Sequence, residues 1–343
     1  MQPITVLLTA AGAPGTAALV RALRENGERE LRVVGTDMSE LSIGRHLCDA
    51  FHTTPAGTDP AFADLLREIC ERERVDAVIP QSSYELLALA EAKEAFGDTT
   101  VLVASPDAVR RSNDKAESYA LLDTIGVRGP AWRRVRGADA IAGAAHELGY
   151  PAEDVAFKPL VSSGSRGFRI VSASADRRRQ LFENRPGVAE ALRLEELVEL
   201  LDDDNRDVLV MELATGGERT IDGIAREGRI ALGHPKTREE MRAGLAMYFQ
   251  TLADAELMEI ASKIAAELRL DHFFNIQLVG DAVIEINPRI STVVYQEDLN
   301  LPYLGVKHAL REISDDELAE LRTRVRGTRK ALRYFDQVEW DAE

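Results

Sequence analysis

Short apolar runs alternate with stretches of helical periodicity over residues 1–112. Ile4–Leu8 reads as a first strand, and Leu19, Val20 and Leu23 at helical spacing predict a helix over Thr16–Asn26. Leu31–Gly35 is a second strand, ending at Thr36-Asp37. The next helix, Asp59–Arg74, opens on Asp59-Pro60, a cap followed by proline. Ala77–Pro80, Tyr84–Phe96 and Thr100–Ala104 follow as strand, helix and strand. This alternation predicts a parallel sheet with helices on its faces.

The texture then changes. A helix is predicted over Asn113–Ile125, a short strand over Trp132–Arg136 and a helix over Ala138–Leu148, stopped by Gly149-Tyr-Pro151. Beyond Val155 the strands read as antiparallel pairs: Val155–Pro159 with Phe168–Ser172, and Val208–Leu213 with Thr220–Arg226 and Arg229–His234. The charged stretch Leu192–Asp207 reads as one solvated helix plus a loop. Leu252–Leu268 is an amphipathic helix, and Phe273–Val279 with Ala282–Asn287 form a hairpin about Gly280-Asp281. The tail from Ser314 is helical, then polar and acidic. The fold class is therefore α/β followed by α+β.

Composition narrows the function. At 343 residues the chain holds two or three modest domains. A formal charge of −16 argues against nucleic acid or an anionic membrane as partner. No apolar stretch is long enough to span a bilayer, and the start has no basic region of the kind that opens a signal peptide. Cys48 and Cys70 alone predict reduced, inert thiols and a cytoplasmic protein. Seven of the 42 basic residues are lysines, which high genomic GC content explains, and a salt-adapted cytosol would fit the acidic surplus as well.

Four segments carry candidate chemistry. The first is Phe274-Asn-Ile-Gln277 with Val283-Ile-Glu-Ile-Asn-Pro-Arg289. Strand alternation sends Glu285 and Asn287 the same way, and a three-residue turn at 280–282 places Gln277 opposite Glu285. Oxygen ligands beside the Arg289 guanidinium suit Mg²⁺ and a phosphate or acyl phosphate. The second is Lys158, delivered by Val155–Phe157 and followed by Ser162-Ser163-Gly164-Ser165-Arg-Gly167, a turn whose N–H groups can wrap phosphates. The third is Val208-Leu-Val-Met-Glu212 running through Gly216-Gly217 to Glu218, a bend that can meet an adenine edge and a ribose; alone it is a common hairpin. The fourth is Ser112-Asn-Asp-Lys115 at a helix start, alone no more than a cap beside an exposed lysine.

In this order the four segments resemble the ATP-grasp superfamily, and most closely the ATP-grasp half of carbamoyl-phosphate-synthetase-like proteins, over roughly residues 1–310. The resemblance implies a Rossmann-like domain over 1–112, then a two-lobed ATP-grasp fold over 113–310, with a small lobe at 151–213 and a C-terminal lobe at 214–310. Residues 311–343 remain a helical and acidic tail. Lys115 and Lys158 would contact ATP phosphates, and Ser162, Ser163, Gly164, Ser165 and Gly167 would cover them. Glu212 and Leu213 would frame adenine and Glu218 would hold ribose. Gln277, Glu285 and Asn287 would bind Mg²⁺, with Mn²⁺ as a substitute. Lys158 and Arg289 would be catalytic, Arg289 holding the transferred phosphoryl group. The implied activity is an ADP-forming ligase joining a carboxylate to an amine through an acyl phosphate, and the implied assembly is a homodimer.

Lys236, Arg238 and Arg242 form a basic cluster suited to a carboxylate substrate, or else an ordinary solvated helix start. Gly12, in Thr9-Ala-Ala-Gly12-Ala-Pro-Gly15, is a further substrate candidate. That loop is spaced Gly-x-x-Gly, an imperfect dinucleotide fingerprint, so an NAD-dependent oxidoreductase stays as a distant alternative. Nearer alternatives are a carbamoyl-phosphate-synthetase-like kinase of a small carboxylate and a nucleotide-binding regulator without turnover. The six histidines show no metal-ligand spacing, and His234 stands out only for its basic neighbours.

Overall fold

The computed structural model describes residues 2–161, 166–183, 191–242, 245–291 and 296–341, apart from the side chain of Arg242. The first sheet has five parallel strands: β1 (Ile4–Leu8), β2 (Leu31–Asp37), β3 (Ala50–Thr53), β4 (Ala77–Ile79) and β5 (Thr100–Val101). Their order is β3-β2-β1-β4-β5, so the winding reverses between β1 and β4. The loops leaving these two strands, through Gly12 and through Gln81–Ser83, open a crevice at the switch point, where parallel sheets of this kind bind ligands. β3 has no counterpart in the expected elements; it is four partly exposed residues with no clean alternation. Burial pushes the thiols of Cys48 and Cys70 up to about 11 and about 12, which fits inert cysteines.

A second sheet follows, with strands β6 (Trp132–Arg136), β7 (Val155–Pro159), β8 (Arg169–Val171), β9 (Ala191–Leu192) and β10 (Asp207–Glu212), ordered β6-β10-β7-β8-β9. Here the expected pairing is corrected. β10 lies between β6 and β7, antiparallel to both, and makes no ladder with the strand that follows it. The Gly216-Gly217 bend instead carries the chain into a third sheet. Alternation separates the two faces: Val155, Phe157, Val208 and Val210 pack under the helices Ala138–Glu147 and Leu194–Leu200. Lys158, opposite Leu209, is left on the other face.

The third sheet is antiparallel throughout: β11 (Glu218–Arg226), β12 (Arg229–Arg242), β13 (Leu245–Gln250), β14 (His272–Val279), β15 (Ala282–Asn287) and β16 (Lys330–Leu332), ordered β15-β14-β11-β12-β13-β16. Residues 236–242 are strand, which removes the helix-start alternative, and the tail, helical over Asp315–Glu320 and then 3-10 helical over Leu321–Arg324, returns to the sheet as β16. Helix starts also shift to the side chains that cap them. Asp114 accepts from the N–H groups of Ala116 and Glu117, so a helix begins at Lys115, and a separate helix, Pro106–Asn113, precedes it. Asp254 caps Ala255–Leu268 in the same way. Asp59 bonds the N–H of Ala61 instead, and the helix after it begins at Phe62.

Helix Leu301–Ala309 covers the third sheet, with Gly305 against the ring of Phe273, which is 1% exposed. A Cβ at Gly305 would overlap that ring. Gly305→Ala gains about 1 kcal/mol of helix propensity. It loses about 1–3 kcal/mol to overpacking, because a buried ring has nowhere to go. Net destabilisation is expected, read as a lower denaturant midpoint; an unchanged or raised midpoint would show that this helix sits loosely.

Candidate active site

The third sheet has one apolar and one polar face. Ile221, Ile276, Leu278 and Ile286 are buried together with Leu257, Ala261 and Ile264 of helix Ala255–Leu268. The intervening positions line up across four strands: Asn287 opposite Asn275, Asn275 opposite Asp222, Asp222 opposite His234, and likewise Glu285, Gln277, Thr220 and Lys236. The expected pairing of Gln277 with Glu285 is present, but by a different route. The turn is two residues, Gly280-Asp281, and a bulge at Ile284 restores the register. The freed carbonyl of Ile284 accepts the Tyr119 hydroxyl at 3.0 Å.

A hydrogen-bond network fixes these side chains. The Asn275 amide donates to Thr220 Oγ1 at 2.6 Å and to Asp222 Oδ1 at 3.2 Å, and its own Oδ1 accepts from Gln277 at 2.9 Å and Asn287 at 3.3 Å. Lys236, buried, forms an ion pair with Asp222, and Arg238 donates to Gln277 Oε1. His234 is held neutral, its pKa pushed down to about 4 by burial and by the charges of Lys236 and Arg329. Asn275 and Asp222 both lie in candidate segments of the sequence, but neither is assigned a role there. The alternation in Asn275-Ile-Gln277 carried the signal for the first, while the second depends on a strand partner 14 residues away.

Three cations converge on Glu285. Lys115 heads its helix, Lys158 comes from β7 and Arg289 follows β15; all three line one cavity of about 950 Å³. Burial, and then the Lys115 charge, push Lys158 down to about 8, against the opposing pull of Glu285. Burial lowers Lys115 and Arg289 as well, with Glu285 the first opposing charge in each case. Arg289 Nε donates to Ser83 Oγ at 3.1 Å. The loop carrying Ser83 is folded by the buried Glu85, whose carboxylate accepts from the N–H groups of Gln81 at 3.0 Å and Ser82 at 2.9 Å. Sequence reading missed Glu85, since nothing local marks a carboxylate that serves its own turn.

Among the described residues, Glu285 has no direct hydrogen bond or ion pair, and no three His, Cys, Asp or Glu side chains converge on a metal position. A carboxylate with open lone pairs beside the Asn287 amide fits Mg²⁺, which takes few protein ligands and completes its shell with water and phosphates. Gln277 fits less directly, since its Oε1 already accepts from Arg238.

The other expected residues divide. Leu213, Glu218 and Gly12 line the cavity, and the Gly12 N–H donates to Asp37 at 2.7 Å. Phe168 and Ile170 add an apolar wall near Leu213. The Glu212 carboxylate is engaged elsewhere, with Arg128 at 2.8 Å and the Ala131 N–H at 3.1 Å, so only its main chain remains for a base. Gly167 has φ +74 and packs so closely on Pro159 that a Cβ would meet its ring at 2.6 Å. Ser162, Ser163, Gly164 and Ser165, and the side chain of Arg242, lie outside the described residues.

Residues 6–104 match the PylC-like N-terminal domain family, and residues 204–331 match the family described as ATP-grasp in the biosynthetic pathway with Ter operon. The carbamoyl phosphate synthase large chain of Pseudomonas syringae pv. tomato is 28% identical over 287 residues, covering 80% of this chain and 24% of the relative. The chain thus spans about a quarter of the length of such curated relatives. An L-amino acid ligase from Bacillus licheniformis superposes with TM-score 0.65 at 14% identity, over 95% of this chain and 78% of that one. The biotin carboxylase domain of Hydrogenobacter thermophilus 2-oxoglutarate carboxylase, a dimer in complex with MgADP, ADP and bicarbonate, does so with TM-score 0.65 at 16% identity, over 90% and 70%. Two family matches reaching from the parallel sheet to the tail strand, on a fold shared over 95% of the chain, make this protein a member of the ATP-grasp superfamily.

Proposed function

We propose that this protein is an Mg-ATP-dependent ligase that joins a carboxylate to an amine through an acyl phosphate, releasing ADP and phosphate. The observation that carries this reading is the convergence of Lys115, Lys158 and Arg289 on Glu285 in one cavity. The fold shared with an L-amino acid ligase and with a carboxylase domain holding MgADP supports it. Residues 1–112 form the leading domain, 151–213 the small lobe, to which we add β6 and helix Ala138–Glu147 because they belong to the same sheet and its core, and 214–310 the C-terminal lobe, to which we add β16 because it pairs within the third sheet. The dimeric carboxylase domain supports a homodimer.

In this reading the adenine rests by Leu213, Phe168 and Ile170, and Glu218 meets the ribose. Lys115 and Lys158 hold the phosphates, and Glu285 and Asn287 hold Mg²⁺, which offsets charge on the transferred phosphoryl group when bound. A carboxylate oxygen attacks the γ-phosphorus, the bond to the bridging oxygen breaks and ADP leaves. Arg289 steadies the transferred group. The amine nitrogen then attacks the acyl carbon, the C–O bond to phosphate breaks and the nitrogen loses its proton to solvent. No side-chain nucleophile is required.

The first test is ADP release with Mg-ATP across pooled amino acids, small carboxylates, bicarbonate and amines. ADP appearing only when an acid and an amine are both present supports the ligase. ADP formed with bicarbonate alone would favour a carbamoyl-phosphate-type kinase, as the curated relatives suggest. Glu285→Ala should lower turnover by about 100-fold or more, since metal-held charge is worth several kcal/mol. Its circular dichroism should match the parent; near-parental turnover would remove Glu285 from the metal site. Phosphates favour the charged form of Lys158 and so raise it from about 8. Nucleotide binding should therefore take up a proton, and affinity should fall as pH rises through that value. Calorimetry near pH 8.5 in two buffers of different ionisation heat measures this, and absence of uptake would place Lys158 away from the phosphates.

A further inference from the structure

The cavity, at about 950 Å³, stands near the top of the range of about 300–1,000 Å³ for small-molecule pockets. Its remaining wall is built from the two ends of the chain. β16 lies against β13, with Leu332 opposite Tyr248 and Ala331 opposite Phe249, and the Arg333 N–H donates to the Met247 carbonyl at 2.7 Å. The main chain therefore fixes where Arg333 leaves the sheet. Its side chain enters the cavity, where one guanidinium nitrogen donates to the Pro14 carbonyl at 3.2 Å. Arg333 thus reaches from the last strand to the glycine loop of the first sheet. Its charge lies near enough to the buried Lys236 to oppose protonation there.

The surroundings define a ligand. Below Arg333, Ala246 and Phe249 are 4% exposed and pack with Ala331, and they line the cavity with Leu245. Across the glycine loop stands Asp37, which also lines the cavity and fixes that loop through the Gly12 N–H. A carboxylate bonded to Gly12 and a guanidinium bonded to Pro14 of one short loop, lining one cavity with Leu245, Ala246 and Phe249, match a zwitterion with an apolar side chain. We propose that Arg333 anchors the carboxylate of an apolar amino acid, whose side chain lies over Ala246 and Phe249 and whose ammonium faces Asp37. This rests on the ligase reading and names the amine substrate: once the ammonium has given a proton to solvent, its amino nitrogen attacks the acyl carbon, phosphate leaves, and its own carboxylate stays unreacted on Arg333. The guanidinium suits that task because it offers two parallel N–H donors to a carboxylate.

The test measures binding of L-leucine, L-methionine and L-phenylalanine, and of their C-terminal amides, by calorimetry with and without saturating Mg-AMPPNP. The parent protein should bind at least one acid about tenfold or more tightly than its amide, the ratio expected for one charge-assisted pair. Arg333→Ala should erase that ratio while leaving Mg-AMPPNP affinity within about twofold, and Arg333→Lys should restore part of it. An unchanged ratio in Arg333→Ala, or no binding of any of the three acids to the parent, overturns the proposal. If Arg333→Ala does not fold, the parent's acid-to-amide comparison decides alone. Loss of Mg-AMPPNP binding in the parent would instead sink the ligase reading, and amino-acid binding without nucleotide would still judge Arg333.

Discussion

Cations crowded around one carboxylate set the terms for the rest of this molecule. Lys115, Lys158 and Arg289 come from a helix start, a strand of the second sheet and the end of a strand of the third, and Glu285 is a charge all three share. Each has lost water, and burial lowers the pKa of each. Glu285, with Asp114 near Lys115 and Glu85 and Asp222 near Arg289, only partly offsets the cost of burying three cations, and an arriving anion would offset more of it. The fold bears that cost by anchoring each cation on regular structure: Asp114 caps the helix of Lys115, β10 pairs along Lys158, and Ser83 holds Arg289. A site that is electrostatically incomplete and geometrically rigid suits a polyanionic substrate.

The buried Lys236–Asp222 pair serves a different end. A buried ion pair is weak evidence for stability, since desolvation offsets much of the attraction. Its partners suggest alignment. Asp222 also accepts from Asn275, which in turn accepts from Gln277 and Asn287, so the pair fixes the amide network that flanks Glu285. Removing either partner would leave a buried charge without its ion-pair partner, at about 3–5 kcal/mol. That readout would report position, not the net worth of the pair.

How much of this was legible in the sequence depended on how local each cause was. The hairpin register followed from alternation and a Gly-Asp turn, although a bulge, and not the expected longer turn, achieves it. Lys158 was legible because an apolar strand delivers it. The placement of β10 was not, because alternation states which face a residue takes and says nothing of which strand lies beside it. For the same reason Lys236 read as part of a basic cluster for a carboxylate, or else as a solvated helix start, although it is buried beside a partner on a neighbouring strand. Glu85 and Arg333 are further cases: their roles depend on loops brought together from distant parts of the chain.

Those long-range closures share a direction. Arg289 bonds a loop of the first sheet through Ser83, and Arg333 bonds another through Pro14. Both donors come from the third sheet or the strand at its edge. The first sheet therefore does more than precede the nucleotide-binding lobes: its two switch-point loops supply one wall of the cavity and hold two of its guanidinium groups. A substrate bound between those loops and the third sheet would touch both at once. On the proposed reading, substrate choice would rest on short loops at β1 and β4 and on one residue of the tail, while Lys115, Lys158 and Glu285 would stay the same for any acid. Such a division of labour would account for a nucleotide half of the site that follows from strand patterns and a substrate half that does not.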